Sequence, residues 1–292
     1  MKIPDTTIEV DDFRPAGASL YVLTHYHADH RRGLRSGESR PVLCSSVTRR
    51  LLLNLNGAAL NAIRTIDPGE RLSLPDGITV RAYDAHHCPG ALMLLFERGA
   101  KRYLHTGDFR YTAEHDLHPE LFDGIDTLFL DRTYAPAGGE TWEHPTQEEA
   151  IEEVLEIIRA HPGRQIFLGI YTIGKNRIVE AIFDRLGLKV HMSAKYCLVH
   201  RLLGLERCVT RNAAETRISA RPMGYFRSSF QRDFRGREGE SLVILPTGWK
   251  EGRGQGSNYR YVPYSEHNSS SELERFVKRV GACRVVETND FF

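Results

Sequence analysis

The sequence lacks long apolar runs, a signal-like start, paired cysteines and any sizeable net charge. Without about 18 consecutive apolar residues, no segment is expected to span a membrane. Residues 1–5, MKIPD, carry no apolar core, so secretion is not expected. The five cysteines form no CxxC pair, which argues against a zinc finger or a disulfide framework and favours a reducing compartment. We therefore expect an intracellular protein, located in the nucleus of a eukaryote or in the cytoplasm or nucleoid of a prokaryote.

The net charge of +1 provides no global attraction for a polyanion, so any such attraction must come from a local patch. Residues 195–240 hold ten Lys and Arg against five Asp and Glu, and ten minus five is +5. Tyr225, Phe226, Phe230 and Phe234 lie among these cations. Arginines interleaved with aromatics can bind a nucleic-acid backbone and stack on bases. A solvated face with ordinary core aromatics is the alternative interpretation.

Short apolar runs that end at turn residues fill the first half of the sequence, for example residues 20–24, 78–83 and 91–96. This pattern is typical of strands. After Pro145 the predicted strands alternate with helices, and residues 146–149, TQEE, carry the N-cap and acidic first turn of a helix. The alternation favours a parallel α/β module. We predict a β-rich domain over residues 1–145 and 241–292, with an inserted α/β domain over residues 146–240.

The densest group of metal-ligand residue types follows the first of these predicted strands. Residues 24–30, THYHADH, contain three histidines and one aspartate. Imidazole and carboxylate are ligands that zinc accepts, so the run predicts a metal site, with a solvated turn as the alternative. One run cannot complete two metal spheres, and further ligands must lie elsewhere. His87, Asp108 and His267 are the candidates, although each alone has an ordinary structural interpretation.

An HxHxDH run, a distant histidine and a Gly-Asp pair at a strand end together resemble the metallo-β-lactamase superfamily. The resemblance implies a four-layer αβ/βα sandwich with metals at one edge, and a buttressing role for Asp11. It further implies a first metal site of His25, His27, His87 and Asp108 and a second of Asp29, His30, Asp108 and His267. The expected cofactor is Zn²⁺, as one or two ions, with Mg²⁺ or Mn²⁺ as alternatives at the second site.

Four further segments narrow this resemblance: residues 130–134 (LDRTY), 171–175 (YTIGK), 246–249 (PTGW) and 264–267 (YSEH). They are similar to the β-CASP nucleases, in which an α/β domain is inserted into the lactamase-like fold. Within that group they are most similar to the DNA-processing branch of Artemis, Apollo and the crosslink-repair exonucleases. His267 is the last histidine, whereas RNA-processing members carry another near the end of the catalytic domain.

This branch implies a zinc-dependent phosphodiesterase. The expected activity is 5′-to-3′ DNA exonuclease action in DNA repair, including interstrand crosslink repair, by a monomer on single strands or duplex ends with a 5′ phosphate. The expected catalytic residues are Asp29, Asp108, Asp131 and His267. Asp131 is expected to orient a ligand histidine, with a first-shell or proton-shuttling role as the alternative. The expected substrate-binding residues are Lys175, at a helix start that favours phosphate, with Thr247, Gly248 and Ser265.

Other activities are compatible with some of these features. An RNA-processing β-CASP nuclease and a structure-specific DNA endonuclease share the motifs. A small-molecule hydrolase of the lactamase type would leave the inserted domain and its positive stretch unexplained. A non-catalytic scaffold is disfavoured, because the set of candidate ligands is intact.

Overall fold

The computed structural model describes residues 1–134, 141–228, 239–249 and 258–288. The chain divides into two compact units, the first formed by Met1–Glu143 and His267–Phe292 and the second by His144–Glu266. Across the described ranges, no helix combines the length and the apolar character needed to cross a bilayer.

Two sheets build the first unit. Within the described part of the chain, one sheet has four parallel strands in chain order: Ile8–Val10, Leu20–Val22, Val42–Cys44 and Ile63–Thr65. The other has six strands in the spatial order Arg284–Glu287, Thr127–Leu130, Lys101–His105, Leu92–Arg98, Ile78–Asp84 and Arg71–Ser73. The first two neighbouring pairs in that order are parallel and the other three are antiparallel.

One apolar core lies between these two sheets. Val22 and Leu43 of the four-stranded sheet and Val80, Leu94 and Phe96 of the six-stranded sheet are buried in it. Val80 points into this core, and its two neighbours on the strand point to the opposite face, because side chains alternate along a strand. The two sheets therefore pack as the sandwich that the sequence predicts.

The helices of the first unit flank the sandwich. They are the helix Ser46–Leu51, which continues as a π-helical turn over Leu52–Asn56, and the helix Ser270–Val280. Short 3-10 segments cover Asp29–Arg31, Leu60–Ala62, Pro75–Gly77, Ala113–Leu117 and Pro119–Phe122. The helix Ser270–Val280 begins with a capping box between Ser269 and Glu272, and it buries Phe276 against Phe109 at 4.7 Å between ring centres.

The strand directions explain why the candidate ligands meet. Strands Ile78–Asp84, Lys101–His105 and Thr127–Leu130 run in the same direction, since the first and second are separated by one antiparallel neighbour. Their carboxyl ends therefore lie at one edge of the sheet. His87, Asp108 and Asp131 each follow one of these strand ends within three residues.

The second unit is a parallel α/β module. Its six-stranded sheet, counted over the described residues, has the spatial order Val209–Thr210, Val190–His191, Ile218–Pro222, Gln165–Ile170, Ser241–Pro246 and Tyr259–Val262. The described helices are Gln147–Ala160, Asn176–Leu186, Ala194–Leu202 and Met223–Ser228. Short 3-10 segments are Glu206–Cys208 and Ala213–Glu215. Ile166 and Leu168 face the core beneath the first two helices, whereas Phe167 faces Phe226 on the other side.

The second unit extends further than the sequence predicts. The prediction returns the chain to the first domain at residue 241, but Ser241–Pro246 pairs with Gln165–Ile170, and Tyr259–Val262 pairs with Ser241–Pro246. Both strands complete the parallel sheet of the second unit, which runs to Glu266. The apolar pattern of residues 241–246 identifies a strand but does not indicate which sheet it joins.

Candidate metal centre

Three imidazoles and one carboxylate converge at the sheet edge of the first unit. His25 Nε2 lies 3.0 Å from His27 Nδ1, which in turn lies 3.1 Å from His87 Nε2. The carboxylate of Asp108 faces the same group, with Oδ2 3.6 Å from Nε2 of both His25 and His87. These are the residues predicted from the resemblance for the first metal site.

Asp108 also contacts a second set of side chains. Its Oδ1 lies 3.1 Å from His30 Nε2, and its Oδ2 lies 3.9 Å from His267 Nε2. Asp29 completes this side, with Oδ2 3.7 Å from His30 Nε2. The residues predicted for the second site are therefore also brought together, and Asp108 stands between the two sets.

The turn that carries Asp108 depends on glycine. Gly107 has a φ of +56°, a left-handed conformation that favours glycine. A Cβ at this position would lie 3.0 Å from the carbonyl oxygen of Leu92 and 3.0 Å from Thr24 Cβ. The turn therefore packs closely against the loop of His25 and His27 and brings the Asp108 carboxylate beside their imidazoles.

Hydrogen bonds behind the cluster hold two of the imidazoles in one orientation. His30 Nδ1 lies 2.8 Å from Asp11 Oδ2, and Asp11 also accepts hydrogen bonds from Thr24 N and Thr24 Oγ1. His267 Nδ1 lies 2.8 Å from Asp131 Oδ2. Since the carboxylates accept the Nδ1 protons, the Nε2 atoms of both rings face Asp108. The predicted buttressing role of Asp11 and orienting role of Asp131 agree with these contacts.

Burial and neighbouring charges shift the pKa values of the cluster in different directions. Burial alone would lower the pKa of His30, but the carboxylates of Asp108 and Asp11 outweigh it and raise that pKa well above its ordinary value. Burial and the neighbouring imidazoles lower the pKa of His25 well below its ordinary value, which keeps the ring neutral. Burial would raise the pKa of Asp131, but its ion pair with His267 and its hydrogen bonds from Thr133 lower it.

The donor set fits divalent cations. Zn–N bonds of about 2.0–2.1 Å in a tetrahedron require donor separations of roughly 3.3–3.4 Å, close to the 3.0–3.6 Å edges of the first set. Neutral imidazoles suit Zn²⁺, which also accepts carboxylates, and the hard carboxylate oxygens of the second set also suit Mn²⁺ or Mg²⁺. The residues present therefore match the chemistry of two neighbouring cation sites that share Asp108.

Cys88 belongs to this neighbourhood and is absent from the sequence prediction. Its sulfur lies within 4.8 Å of ligand atoms of His25, His27 and His87, and the residue is buried. Its position directly after His87 is the signal that could have found it. Asn268 is a second such residue: its side chain accepts from Tyr111 N at 2.7 Å and donates to Phe109 O at 2.9 Å. Asn268 directly follows His267, so these two hydrogen bonds connect the His267 segment to the loop that follows Asp108.

His105 lies buried on the strand that leads to Asp108, and burial lowers its pKa to about 4. Between about pH 6.5 and pH 4 the His105 imidazole therefore stays neutral in the native state, whereas in the unfolded chain it binds a proton. This contribution to stability is complete above pH 6.5 and is lost as the pH falls through about 4. We expect about 3 kcal/mol of pH-dependent stability to disappear in His105→Gln. Urea unfolding of the metal-free protein between pH 4 and 7 measures it, with the half-exposed His118→Gln as the control. An equal dependence of the unfolding free energy on pH in His105→Gln and the parent would refute it.

The predicted substrate-binding residues all lie in the second unit. Thr247 is partly buried, its N–H donates to Val262 O at 2.9 Å, and its Oγ1 accepts from Trp249 N at 3.2 Å. Gly248 and Ser265 are buried, and Ser265 O accepts from the side chain of Gln147. These three residues lie at the ends of the last two strands of the second sheet.

Lys175 differs from its prediction as a phosphate ligand. It is 3% exposed, and its ammonium donates to Pro246 O at 2.5 Å and lies 4.2 Å from the ring centre of Tyr171. Its φ of +59° turns the chain at the start of the helix Asn176–Leu186, and its N–H donates to Glu266 Oε1 at 2.7 Å. Burial lowers the pKa of Lys175 to about 8, opposed by Glu266. The buried ammonium therefore binds a strand-end carbonyl of its own unit.

The positive stretch of residues 195–240 is described only in part. Phe226 is 7% exposed and packs against Phe167, Val243 and Leu245, so it belongs to the core and not to a base-stacking surface. Phe230 and Phe234 lie outside the described residues. The alternative interpretation, a core aromatic, is correct for Phe226.

Comparisons with known proteins agree with this architecture. Residues 10–168 match the Beta-lactamase superfamily domain, and residues 204–290 match the DNA repair metallo-beta-lactamase family. A crystal structure of a protein of unknown function from Enterococcus faecalis V583 shares the fold, with a TM-score of 0.64 and 15% identity over 92% of this chain and 74% of that chain.

Three relatives have names that describe DNA processing. The chain is 34% identical to 5′ exonuclease Apollo of Gallus gallus over 97% of this chain and 62% of the relative. It is 32% identical to DNA cross-link repair protein SNM1 of Arabidopsis thaliana, over 98% and 65%. It is 33% identical to DNA cross-link repair 1A protein of Mus musculus, over 98% and 30%. The chain thus spans less than two thirds of the length of each.

Each family match includes residues of both units, and the lactamase-like match includes His25, His27, His30, His87 and Asp108. The predicted α/β sandwich of the metallo-β-lactamase fold is confirmed. The chain belongs to the metallo-β-lactamase superfamily.

Proposed function

We propose that this protein is a metal-dependent DNA nuclease of DNA repair that degrades strands from a 5′ end. The observation that carries the proposal is the position of Asp108, whose carboxylate lies within 3.1–3.9 Å of imidazole nitrogens from both candidate sets, His25 and His87 of the first and His30 and His267 of the second. A shared carboxylate between two cation sites suits phosphodiester hydrolysis. The names of the relatives, 5′ exonuclease and cross-link repair protein, supply the substrate class.

The proposed cations are Zn²⁺ at both positions, with Mg²⁺ or Mn²⁺ as alternatives at the second. The first position would be held by His25, His27, His87 and Asp108, and the second by Asp29, His30, Asp108 and His267. When bound, such ions make a water nucleophilic near neutral pH and neutralise charge on the phosphate.

The remaining steps belong to side chains of the protein. Asp131 Oδ2 accepts the Nδ1 proton of His267, and Asp11 Oδ2 accepts that of His30, so both rings turn Nε2 toward Asp108, where a cation would lie. Thr133 donates its Oγ1–H and N–H to Asp131, which keeps this carboxylate ionised and fixed. The buried sandwich core beneath the cluster supplies rigid strand ends for this arrangement.

Recognition of a terminal 5′ phosphate is proposed for Thr247, Gly248 and Ser265. Backbone N–H groups and hydroxyls at strand ends can bind phosphate oxygens. Because the Lys175 ammonium is bonded to Pro246 O, we propose for Lys175 the role of supporting the turn that carries Thr247 and Gly248. We further propose that residues 144–266 form the β-CASP insertion and that the protein acts as an intracellular monomer.

The proposed function predicts a specific digestion pattern. Matched DNA and RNA oligonucleotides, single- and double-stranded, would carry a 5′ phosphate or a 5′ hydroxyl and a label at either end. With a 3′-labelled, 5′-phosphorylated DNA strand, products should shorten stepwise from the 5′ end, and the 5′-hydroxyl strand should react more slowly. Denaturing gels of a time course measure both.

Each part of the proposal has its own contrary outcome. Cleavage of RNA alone would contradict the DNA assignment. A single internal cut in hairpins or flaps, with no shortening of linear strands, would replace the exonuclease by a structure-specific endonuclease. Equal rates on phosphorylated and hydroxyl ends would remove the proposed role of the 5′ phosphate while leaving DNA cleavage intact.

A further inference from the structure

A basic recess of about 400 Å³ lies on the first unit between the 3-10 segment Ala113–Leu117 and the helix Ser270–Val280. Its lining combines cations of the helix with polar groups of the segment: Tyr111, Thr112, Asp116, Arg275, Lys278 and Arg279. The three cations lie at helical spacings of three and four, so they share one face of the helix. None of the six residues belongs to the candidate metal centre.

The charges of the recess do not cancel. Asp116 is the acidic residue in its lining, and it is already paired with Arg279 at 3.0 Å and accepts a hydrogen bond from the Tyr111 hydroxyl. Arg279 is held further by the ring of Phe122, 4.6 Å from its guanidinium carbon. Arg275 and Lys278 are exposed, and in the described part of the chain neither has an acid within 4.0 Å. Two positive charges therefore face the recess without a counter-charge.

The recess is close to the metal centre along the chain. Tyr111, which lines the recess, is three residues after Asp108, so their Cα atoms are separated by at most about 11 Å. The loop between them is fixed, since Asn268 bonds Tyr111 N and Phe109 O. One strand of duplex DNA carries a phosphate about every 3.4 Å along the axis. A strand reacting beside Asp108 thus has its next few phosphates within reach of the recess.

We infer that this recess binds backbone phosphates of the DNA a few nucleotides from the reacting bond, an inference that rests on the proposed function. The Arg275 guanidinium can bind two phosphate oxygens at once, whereas Lys278 acts as a mobile point charge. The ion pair with Arg279 neutralises the Asp116 carboxylate, which would otherwise repel the DNA strand. The recess takes no part in the reaction itself and serves to hold the substrate.

The test compares the double variant Arg275→Ala/Lys278→Ala with Arg50→Ala/Arg64→Ala, two exposed arginines of the same unit outside the recess. Fluorescence anisotropy would follow a labelled, 5′-phosphorylated DNA strand bound to chelator-treated protein over a range of salt concentrations. Each lost phosphate contact lowers the slope of log K against log salt by about 0.7 for single strands. The recess variant should lose about 1.4 of slope, and the control variant none.

The outcomes separate the two proposals. A recess variant whose slope equals that of the parent, in a protein that cuts DNA, would overturn the recess and leave the function standing. A parent that neither binds nor cuts DNA would overturn both. In a competition arm, inorganic phosphate should displace DNA from the parent only at high concentration. Displacement at low concentration, with unchanged slopes, would assign the recess to a small phosphate and refute DNA as its ligand. Thermal melting of both variants controls for folding.

Discussion

Asp108→Asn is expected to lower the rate of DNA cleavage by about a thousandfold or more, with no recovery at high metal concentration. Asn preserves the shape of the side chain but removes the negative charge that faces the imidazoles of His25, His30 and His87 within 3.1–3.6 Å. Both proposed cation sites share this carboxylate. Loss of several kcal/mol of charge stabilisation corresponds to about three orders of magnitude in rate.

Single-turnover cleavage of a labelled DNA strand measures this effect, together with metal analysis of the purified variant. Asp76→Asn is the matched control, because Asp76 is exposed, lies in the same unit and has a φ of +60° that Asn adopts readily. The control should retain the parental rate and metal content. An Asp108→Asn protein that cuts DNA at the parental rate would show that Asp108 is not a shared ligand.

Asp131→Asn is expected to weaken metal binding by about 10–100-fold, and added metal should restore much of the activity. Asp131 lies behind His267, with Oδ2 2.8 Å from His267 Nδ1, and it accepts further hydrogen bonds from Thr133. Asn can still accept a hydrogen bond from the imidazole, but it carries no charge to raise the basicity of Nε2. The substitution should therefore lower the metal affinity more than it lowers the cleavage rate at saturating metal.

Titration of metal into the chelated protein, followed by cleavage rate at each concentration, separates affinity from maximal rate. Thr133→Val removes one hydrogen bond to Asp131 while leaving its charge, so its metal affinity should lie between those of the parent and Asp131→Asn. An Asp131→Asn protein with parental affinity and a strongly reduced maximal rate would favour the alternative, in which Asp131 shuttles a proton.

The sequence predicts the candidate centre well because its chemistry is local. Residues 24–30 hold their ligand types within one loop, and His87 and Asp108 follow apolar runs whose carboxyl ends meet at one sheet edge. The helix Gln147–Ala160 is predicted correctly for a similar reason: Thr146 and Glu149 form the capping box that marks its start. Such signals depend on a few neighbouring residues and not on the rest of the fold.

The sequence predicts least well those features that depend on residues far apart in the chain, such as the partner of a buried side chain or the pairing of strands. The position of Lys175 at a helix start suggests a phosphate ligand, yet Pro246 O lies close enough to bind its ammonium inside the second unit. The sequence predicts both Ser241–Pro246 and Gln165–Ile170 as strands, but it does not predict that they pair with each other. Strands of two or three residues, such as Val42–Cys44 and Val209–Thr210, are too short for their periodicity to be distinguished from a loop.

We propose that the cluster around Asp108 is a two-cation centre that cleaves DNA. Its most direct test is reconstitution: chelated protein is mixed with a 3′-labelled, 5′-phosphorylated DNA strand while Zn²⁺ or Mn²⁺ is added in steps. We expect no cleavage without metal, full cleavage at about two ions per chain, and no recovery of the parental rate by Asp108→Asn at any metal concentration. Undiminished cleavage by the chelated protein would contradict it.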